Sequence, residues 1–527
     1  MNKVLKGLVA VVSTAAMAIA GFAGAASATA AEDYSITITP AKAGHVYEAY
    51  QVFTGNLDAS TGVLGNVAWG TGIDRDQLNG EGASSLIKGK TAAEVSEALA
   101  QKSSNSADAK AYAKAFGGVL STTHKNSGTF DDANKAYTIS GLAAGYYLIQ
   151  DEAGSVIGDD SYTSFILEVT RTNTIVAPKS TTPTVDKKVQ DEVADKDQNA
   201  DDNGWGDTAD HDINKSFRFK LNATIPGSAD LADYTKYEVK FTDTMSKGVT
   251  FESLDSVIKV KGKDASGADK TWNVAENQYN ASSVTADPTT GNQSWTLTIS
   301  DVIAACNGIN ITEGFSVEVV YKAHLNEKAT VTTSNGSTDN ANAVYLEYSN
   351  NPNAEGLGTT SEKKVYVYTF GITNKKVADS TDGTPLKDAG FTLYTDTNCE
   401  HEYALIWDNT LEAYRPVKTG ETGVEMKSNA KGRFPIKGLD AGIYYLKETT
   451  TPAGYTTAAV QTVKINAAHE VTAEGTPNVT LSQDSTMSNV IVDKSGSSLP
   501  STGGMGTTVL YAAGAAIVLV AAFGIAF

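Results

Sequence analysis

Two polar side chains fall in step with apolar ones in segments that otherwise read as half-buried strands. Lys187 alternates in phase with Val185 and Val189, so its stem points inward, and Lys188 is the adjacent, outward-facing alternative. Asn342 shares a phase with Val344, Leu346 and Tyr348, and Asn350 continues it. Desolvation drives an inward lysine toward its neutral, nucleophilic amine, while a buried carboxyl stays protonated. Chemistry of that kind depends on enforced proximity in a dry core and calls for no cofactor and no metal. The other reactive residue types form no comparable pattern. The six histidines (His45, His124, His211, His324, His401, His469) are scattered, without His-Glu-x-x-His or Gly-x-Ser-x-Gly, so no hydrolytic enzyme is expected. The acidic stretch Asp195–Asp212 fails the EF-hand template, with Ala200 where Gly is needed and Gly206 where the closing Glu is needed. A solvated loop is expected there.

The elements that position these residues are strands. About 470 residues remain once both ends are set aside, enough for about three domains. Met1–Ala30 carries Lys3 and Lys6, an apolar stretch and small residues ending Ala28-Thr29-Ala30. This is the pattern of a secretory signal helix cleaved after Ala30 or, second, after Ala28. Val509–Phe527 is uncharged and apolar, near the ~20 residues that cross a bilayer as a helix. There are 61 acidic and 42 basic residues, a formal net charge of −19, which excludes nucleic acid as a partner. Two cysteines, Cys306 and Cys399, are too few to staple an exported chain of this length, and buried free thiols are expected.

Three β regions follow one another. In 31–180, Tyr34–Thr39 alternates cleanly, Tyr137–Ile149 reads as strand, turn and strand, and Ala92–Ala115 is a helical insertion rich in Ala, Glu and Lys. A stiff polar linker, Pro178 to Pro183, closes that region. In 181–364 the alternating segments are Phe217–Leu221, Tyr237–Phe241, Ser294–Ile299, Ser316–Tyr321 and Ala343–Tyr348. In 365–498 they are Phe370–Asn374, Phe391–Tyr394, Ile443–Leu446, Val460–Ile465 and Val490–Val492. Short strands punctuated by Gly, Asn and Asp predict an all-β chain of tandem Ig-like sandwiches.

Several motifs carry a resemblance. Leu499-Pro500-Ser501-Thr502-Gly503 ahead of the apolar run (sorting signal 499–527, membrane segment 509–527) resembles the LPxTG signal that a sortase cleaves between Thr and Gly. In that family a few Lys/Arg follow the run, and here the residues end at Phe527 without them. Asn374-Lys375-Lys376-Val377, the segment Thr384–Tyr394 and Gly442-Ile443-Tyr444-Tyr445-Leu446-Lys447-Glu448 look like a collagen-adhesin B-type, SpaA-like prealbumin domain. Pro183–Val189, Phe241–Gly248 and Asn342–Pro352 resemble the central domain of sortase-assembled backbone pilins. The chain is thereby identified as resembling the major (shaft) pilins of Gram-positive bacteria.

The resemblance implies internal Lys–Asn or Lys–Asp isopeptide bonds, each assisted by a buried acid. In the central domain it implies Lys187 as nucleophile, Asp243 as acid and Asn342 as electrophile, with Asn350 as the alternative. In the last domain it implies Lys376, Glu448 and Asp493, with Asn489 as the alternative. Gly145–Gln150 mimics the acid-bearing pattern but ends in Gln150, so no such bond is expected in the first domain. Val176-Ala177-Pro178-Lys179 stands where the family presents Val-Tyr-Pro-Lys, implying Lys179 as the amine that joins subunits. The implied partners are pilin-specific and housekeeping sortases, further copies of the chain, minor tip and base pilins, and peptidoglycan. The implied location is a secreted fimbrium anchored to the cell wall. The competing expectation is a monomeric wall-anchored adhesin, which has the same ends and no need of Lys179.

Overall fold

Side chains in a strand point alternately to its two faces, so a two-residue apolar period buries one face and wets the other. Strand accounts for 47% of the described residues and helix for 9%, which makes them mainly β. The computed structural model describes residues 34–58, 63–103, 106–156, 160–163, 166–169, 174–176, 182–192 and 200–496. The expected signal helix at 1–30, Lys179, the 499–503 motif and the apolar run 509–527 lie outside the described residues. Among the described residues no helix is long and apolar enough to cross a membrane.

The chain forms two compact units, one of Met1–Ala209, Ser216–His324 and Asp339–Val367, the other of Asp210–Lys215, Leu325–Thr338 and Tyr368–Phe527. The regions read along the sequence as first and central domains thus lie in one unit. The second unit draws in two short segments from the central region. Backbone pairing explains their membership: Ile213 N–H donates to Gly438 O at 2.9 Å, and Thr332 bridges Phe370 in parallel.

In the first unit, a four-stranded sheet runs in the order Thr129–Asp131, Ala136–Leu142, Tyr34–Ile38, Thr174–Val176. It packs on a second sheet built around Tyr47–Asp58 and Gly145–Asp151, with Ile36, Ile38, Tyr47, Ile139 and Ile149 between them. The expected strand–turn–strand at Tyr137–Ile149 therefore changes sheets at its turn and is not a hairpin. The Ala-rich insertion forms the helices Ala92–Ala100 and Ala107–Gly117, capped by Thr91 and Ser106. Their buried Val95, Leu99, Tyr112 and Phe116 cover the outer side of Val52, Phe53 and Tyr146.

Two larger sheets follow in the same unit. One places Thr184–Gln190 beside Ser216–Pro226, which pairs in turn with Gly314–Leu325. The other places Ala341–Ser349 and Gln293–Ile299 on either side of Val239–Met245. Strict alternation turns Phe219, Leu221, Val317, Val319 and Tyr321 inward from the first, and Phe241, Trp295, Leu297, Val344 and Leu346 inward from the second. The expected solvated loop at Asp195–Asp212 is corrected in part, because Thr208–Asp210 is a fully buried strand.

The second unit is a smaller sandwich. Its five-stranded sheet ends with Phe370–Ala378 parallel to Ser488–Asp493, so the first and last long strands of the unit are neighbours. The opposing sheet runs Met426–Lys427, Gly390–Tyr394, Gly442–Thr450, Gln461–Ile465. Phe391 and Phe434 stack at 4.3 Å between centroids in its centre. Cys306 is buried, which pushes its thiol up to about 12, whereas Cys399 is half-buried; both are free. The expectation of buried free thiols therefore holds in full for Cys306 alone.

Phe434 is wholly enclosed while Ile443 on the outer face is half exposed. Phe434→Ala is expected to destabilise the second unit by about 3–5 kcal/mol. Ile443→Ala should stay within about 0.5 kcal/mol. Denaturant unfolding of the two variants checks the contrast.

Candidate functional site

Lys187 lies in a strand whose inward positions are otherwise apolar, opposite Leu221 in the antiparallel pairing. Its side chain has no exposure, whereas Lys188 turns outward to Asp207 at 2.8 Å. The amine therefore projects into the gap between the two larger sheets of the first unit. Asp243 enters the same gap from the facing sheet, flanked in register by Trp295 and Val344. Asn342 enters from the neighbouring strand, opposite Met245. All three are buried.

The Lys187 amine donates to the Asp243 carboxylate and, at 3.0 Å, to the Tyr321 hydroxyl. That hydroxyl lies 3.1 and 3.0 Å from the two Asp243 oxygens. The Asn342 carboxamide nitrogen donates to it in turn. Phe219 and Tyr321 present their rings to the amine at 5.2 and 5.3 Å. Burial is the main influence on both ionisable groups. It lowers Lys187 to about 8 against the pull of Asp243, and it raises Asp243 above the usual carboxylate range. Both shifts favour a neutral amine beside a neutral acid.

Of the two expected electrophiles, Asn342 is the one brought to this cluster. Asn350 lies at the far end of the same strand, where its carbonyl accepts from Tyr162 N–H at 2.7 Å and its side chain reaches Asp160 O at 3.4 Å. Tyr321 was not among the residues singled out from the sequence. Its signal was present in the alternation Phe315, Val317, Val319, Tyr321, which sets a hydroxyl on the inward face of a long strand.

The second unit assembles a similar group differently. Lys376 and Asp493 stand on adjacent parallel strands, with Ala378 paired to Asp493 and Asn374 to Asn489. The Lys376 amine donates to Asp493 and lies 3.1 Å from Glu448, which reaches across from the opposing sheet. All three side chains are fully buried, and Phe391 covers the amine at 5.5 Å. Burial raises Glu448, although Ala458 N–H donates to it at 2.7 Å. Asp493, not the alternative Asn489, is therefore the residue at the amine. The strand is held by a turn whose Gly432 carbonyl accepts from Lys376 N–H at 2.7 Å. Gly432 has φ +72°, and a Cβ there would stand 2.3 Å from the Lys376 carbonyl oxygen, so glycine is required.

The first region holds a different polar cluster. Gln150 is half-buried and lies opposite Glu48. Buried His45 bonds Asp151 at 2.7 Å and faces Asp160 at 3.5 Å. Burial by itself lowers the imidazole, yet the bonds to Asp151 and Asp160 outweigh it and hold His45 at about 9.

A tandem β-sandwich protein with a lysine sealed against a buried acid in each compact unit is the class these features define. Residues 371–478 match the SpaA prealbumin-like fold domain, a span that contains Lys376 and Glu448 and stops short of Asp493. The chain is 29% identical over 260 residues to the trypsin-resistant surface T6 protein of Streptococcus pyogenes serotype M6, covering 44% of this chain and 42% of that protein. It thus spans less than half of that curated relative. Among solved structures, the T6 backbone pilin of the same serotype, a modular three-domain protein, superimposes with a TM-score of 0.52 at 16% identity. That likeness covers 89% of this chain and 100% of the other. The major pilin SpaD of Corynebacterium diphtheriae gives 0.44 at 16% identity, over 88% and 98%. The fold is that of a Gram-positive backbone pilin.

Because the folded His45 lies above its ordinary 6.5, its ion pairs contribute stability that is complete below about pH 6.5 and is lost as pH rises through about 9. Thermal melts from pH 6 upward should therefore show the first unit weakening toward pH 9, and His45→Gln should flatten that slope.

Proposed function

We propose that this chain is the main structural subunit of a covalently polymerised pilus on a Gram-positive cell, and that each compact unit crosslinks itself. Lys187 joins Asn342 with loss of ammonia, assisted by Asp243. Lys376 joins Asp493 with loss of water, assisted by Glu448. The observation that carries this reading is the seating of each lysine, fully buried: Lys187 lies against Asp243 and shares the Tyr321 hydroxyl with the Asn342 carboxamide, and Lys376 lies against Asp493 and Glu448. A lysine so placed has no structural advantage over an apolar residue of the same volume. A permanent bond gives the arrangement a purpose.

The two bonds act on different parts of the fold. Lys187–Asn342 staples one sheet of a sandwich to the other, and Lys376–Asp493 ties the first long strand of the second unit to its parallel neighbour. Treated like a disulfide closing a loop of about 155 residues, the first stabilises by about 5 kcal/mol through the unfolded state. Under tension the gain is greater, because force passes through the covalent link and bypasses the hydrogen-bond ladders.

In the same reading a pilin-specific sortase cleaves between Thr502 and Gly503 and passes the Thr502 carbonyl to Lys179 of another copy. A housekeeping sortase then attaches the fibre to peptidoglycan, and minor pilins occupy tip and base. The chain is a substrate of enzymes and modifies only itself. The likeness to the T6 surface protein supports the surface location.

Intact mass and peptide mapping test the crosslinks. Deficits of about 17 Da for the Lys–Asn bond and about 18 Da for the Lys–Asp bond are expected, and Lys187→Ala and Lys376→Ala should each abolish one. An unshifted mass would end the self-crosslinking reading. Co-expression with the cognate sortase should give a ladder of covalent multimers that Lys179→Ala collapses to monomer. A wild-type chain that never forms the ladder would leave the monomeric adhesin.

A further inference from the structure

The geometry points to Tyr321 as a catalytic proton relay of the Lys187–Asn342 crosslink, carrying a proton from the acid to the departing carboxamide nitrogen. This inference rests on the crosslink proposed above and adds a residue that the Lys, Asn and acid set does not contain.

Asp243 contacts the nucleophile, but the hydrogen bond of the Asn342 nitrogen goes to the Tyr321 hydroxyl. The Tyr321 oxygen accepts from both nitrogens, and its own proton points to Asp243. One atom thus touches the attacking amine, the acid and the leaving group. Tyr321 and Lys187 come from one sheet and Asp243 and Asn342 from the other, so the relay assembles only when the sandwich closes. The Asn342 carboxamide oxygen has no hydrogen-bond partner, which leaves the nitrogen as the end of the group that the site handles.

The step balances without any further reactant. The Lys187 ammonium first gives a proton to Asp243, leaving a neutral amine and a neutral acid. The amine attacks Cγ of Asn342, forming the new C–N bond. As the tetrahedral centre collapses, the Tyr321 hydroxyl turns from Asp243 to the now pyramidal amide nitrogen, gives it its proton and accepts that of Asp243, and Asp243 recovers one from the former amine. The old C–N bond breaks and neutral ammonia leaves, with Tyr321 restored and Asp243 keeping the proton that it first took from the lysine ammonium. Burial holds the phenol well above its ordinary value, so the hydroxyl serves by exchanging protons and not as a phenolate.

The second unit supplies an internal control. There the Lys376 amine meets both carboxyls directly, and the leaving group is a carboxyl oxygen. Water departs more readily than an amine, and the proton it takes is supplied by Glu448, the acid already at that amine, without a relay.

The test follows both mass losses in one chain by timed quenching after cell-free synthesis, with peptide mapping. In Tyr321→Phe the loss of ammonia at Lys187–Asn342 should slow by roughly a hundredfold, the usual worth of a positioned proton donor. The loss of water at Lys376–Asp493 should keep its wild-type rate. An unchanged rate of ammonia loss in Tyr321→Phe overturns the relay. Should that variant not fold, by circular dichroism, a ring-fluorinated tyrosine at 321 keeps the shape and alters the acidity of the hydroxyl. A rate that shifts with acidity then supports the relay, and a rate that does not overturns it. A wild-type chain that loses no ammonia at this pair would instead defeat the crosslink itself, whatever Tyr321 does.

Discussion

The rest of the fold is arranged around the difficulty of placing a lysine amine in a β-sandwich core. An ammonium taken out of water loses several kcal/mol of hydration, and a lone buried charge does not persist. The first unit meets this by setting Asp243 directly against Lys187 and enclosing both with Phe219, Tyr321 and Trp295. Water is kept out by the same aromatic packing that holds the sheets together. The price in stability is met if the pair becomes neutral, and burial shifts both partners that way.

The two lysine sites reach this end with different topologies. In the first unit the groups come from opposing sheets, so the site depends on how the sheets stack. In the second, the lysine and Asp493 lie on paired parallel strands and their separation is set by strand register, with Glu448 alone crossing the core. Among its described residues the first region has neither arrangement. Its buried charge is an imidazole between carboxylates, His45 with Asp151 and Asp160, which remains a reversible ionic contact.

Much of this was legible in the sequence. Alternation placed Lys187 and Asn342 on inward faces, while Asp243 and Asp493 were legible only through the family resemblance. The strands ran longer than their clearest alternating cores, as with Gly314–Leu325 for an expected Ser316–Tyr321, because pairing with neighbours extends a strand past its most regular stretch. The buried strand Thr208–Asp210 was hidden by its acidic surroundings. Its burial comes from pairing and from contacts such as Asp210 accepting the Ala441 N–H at 3.0 Å, partners more than two hundred residues away.

Local periodicity determined which side chains point inward, since the face of a strand residue follows from its parity alone. It could not determine which inward residues meet. Asn342 and Asn350 share a parity, yet only one stands at the cluster, because position along the strand is decided by antiparallel register with Val239–Met245. Asn489 and Asp493 share a parity too, and parallel register with Phe370–Ala378 selected Asp493. Tyr321 read as one more aromatic in an apolar face until sheet stacking brought its hydroxyl between an amine, an acid and a carboxamide. Parity is a property of the chain; register and stacking exist only between chain segments that folding has brought together.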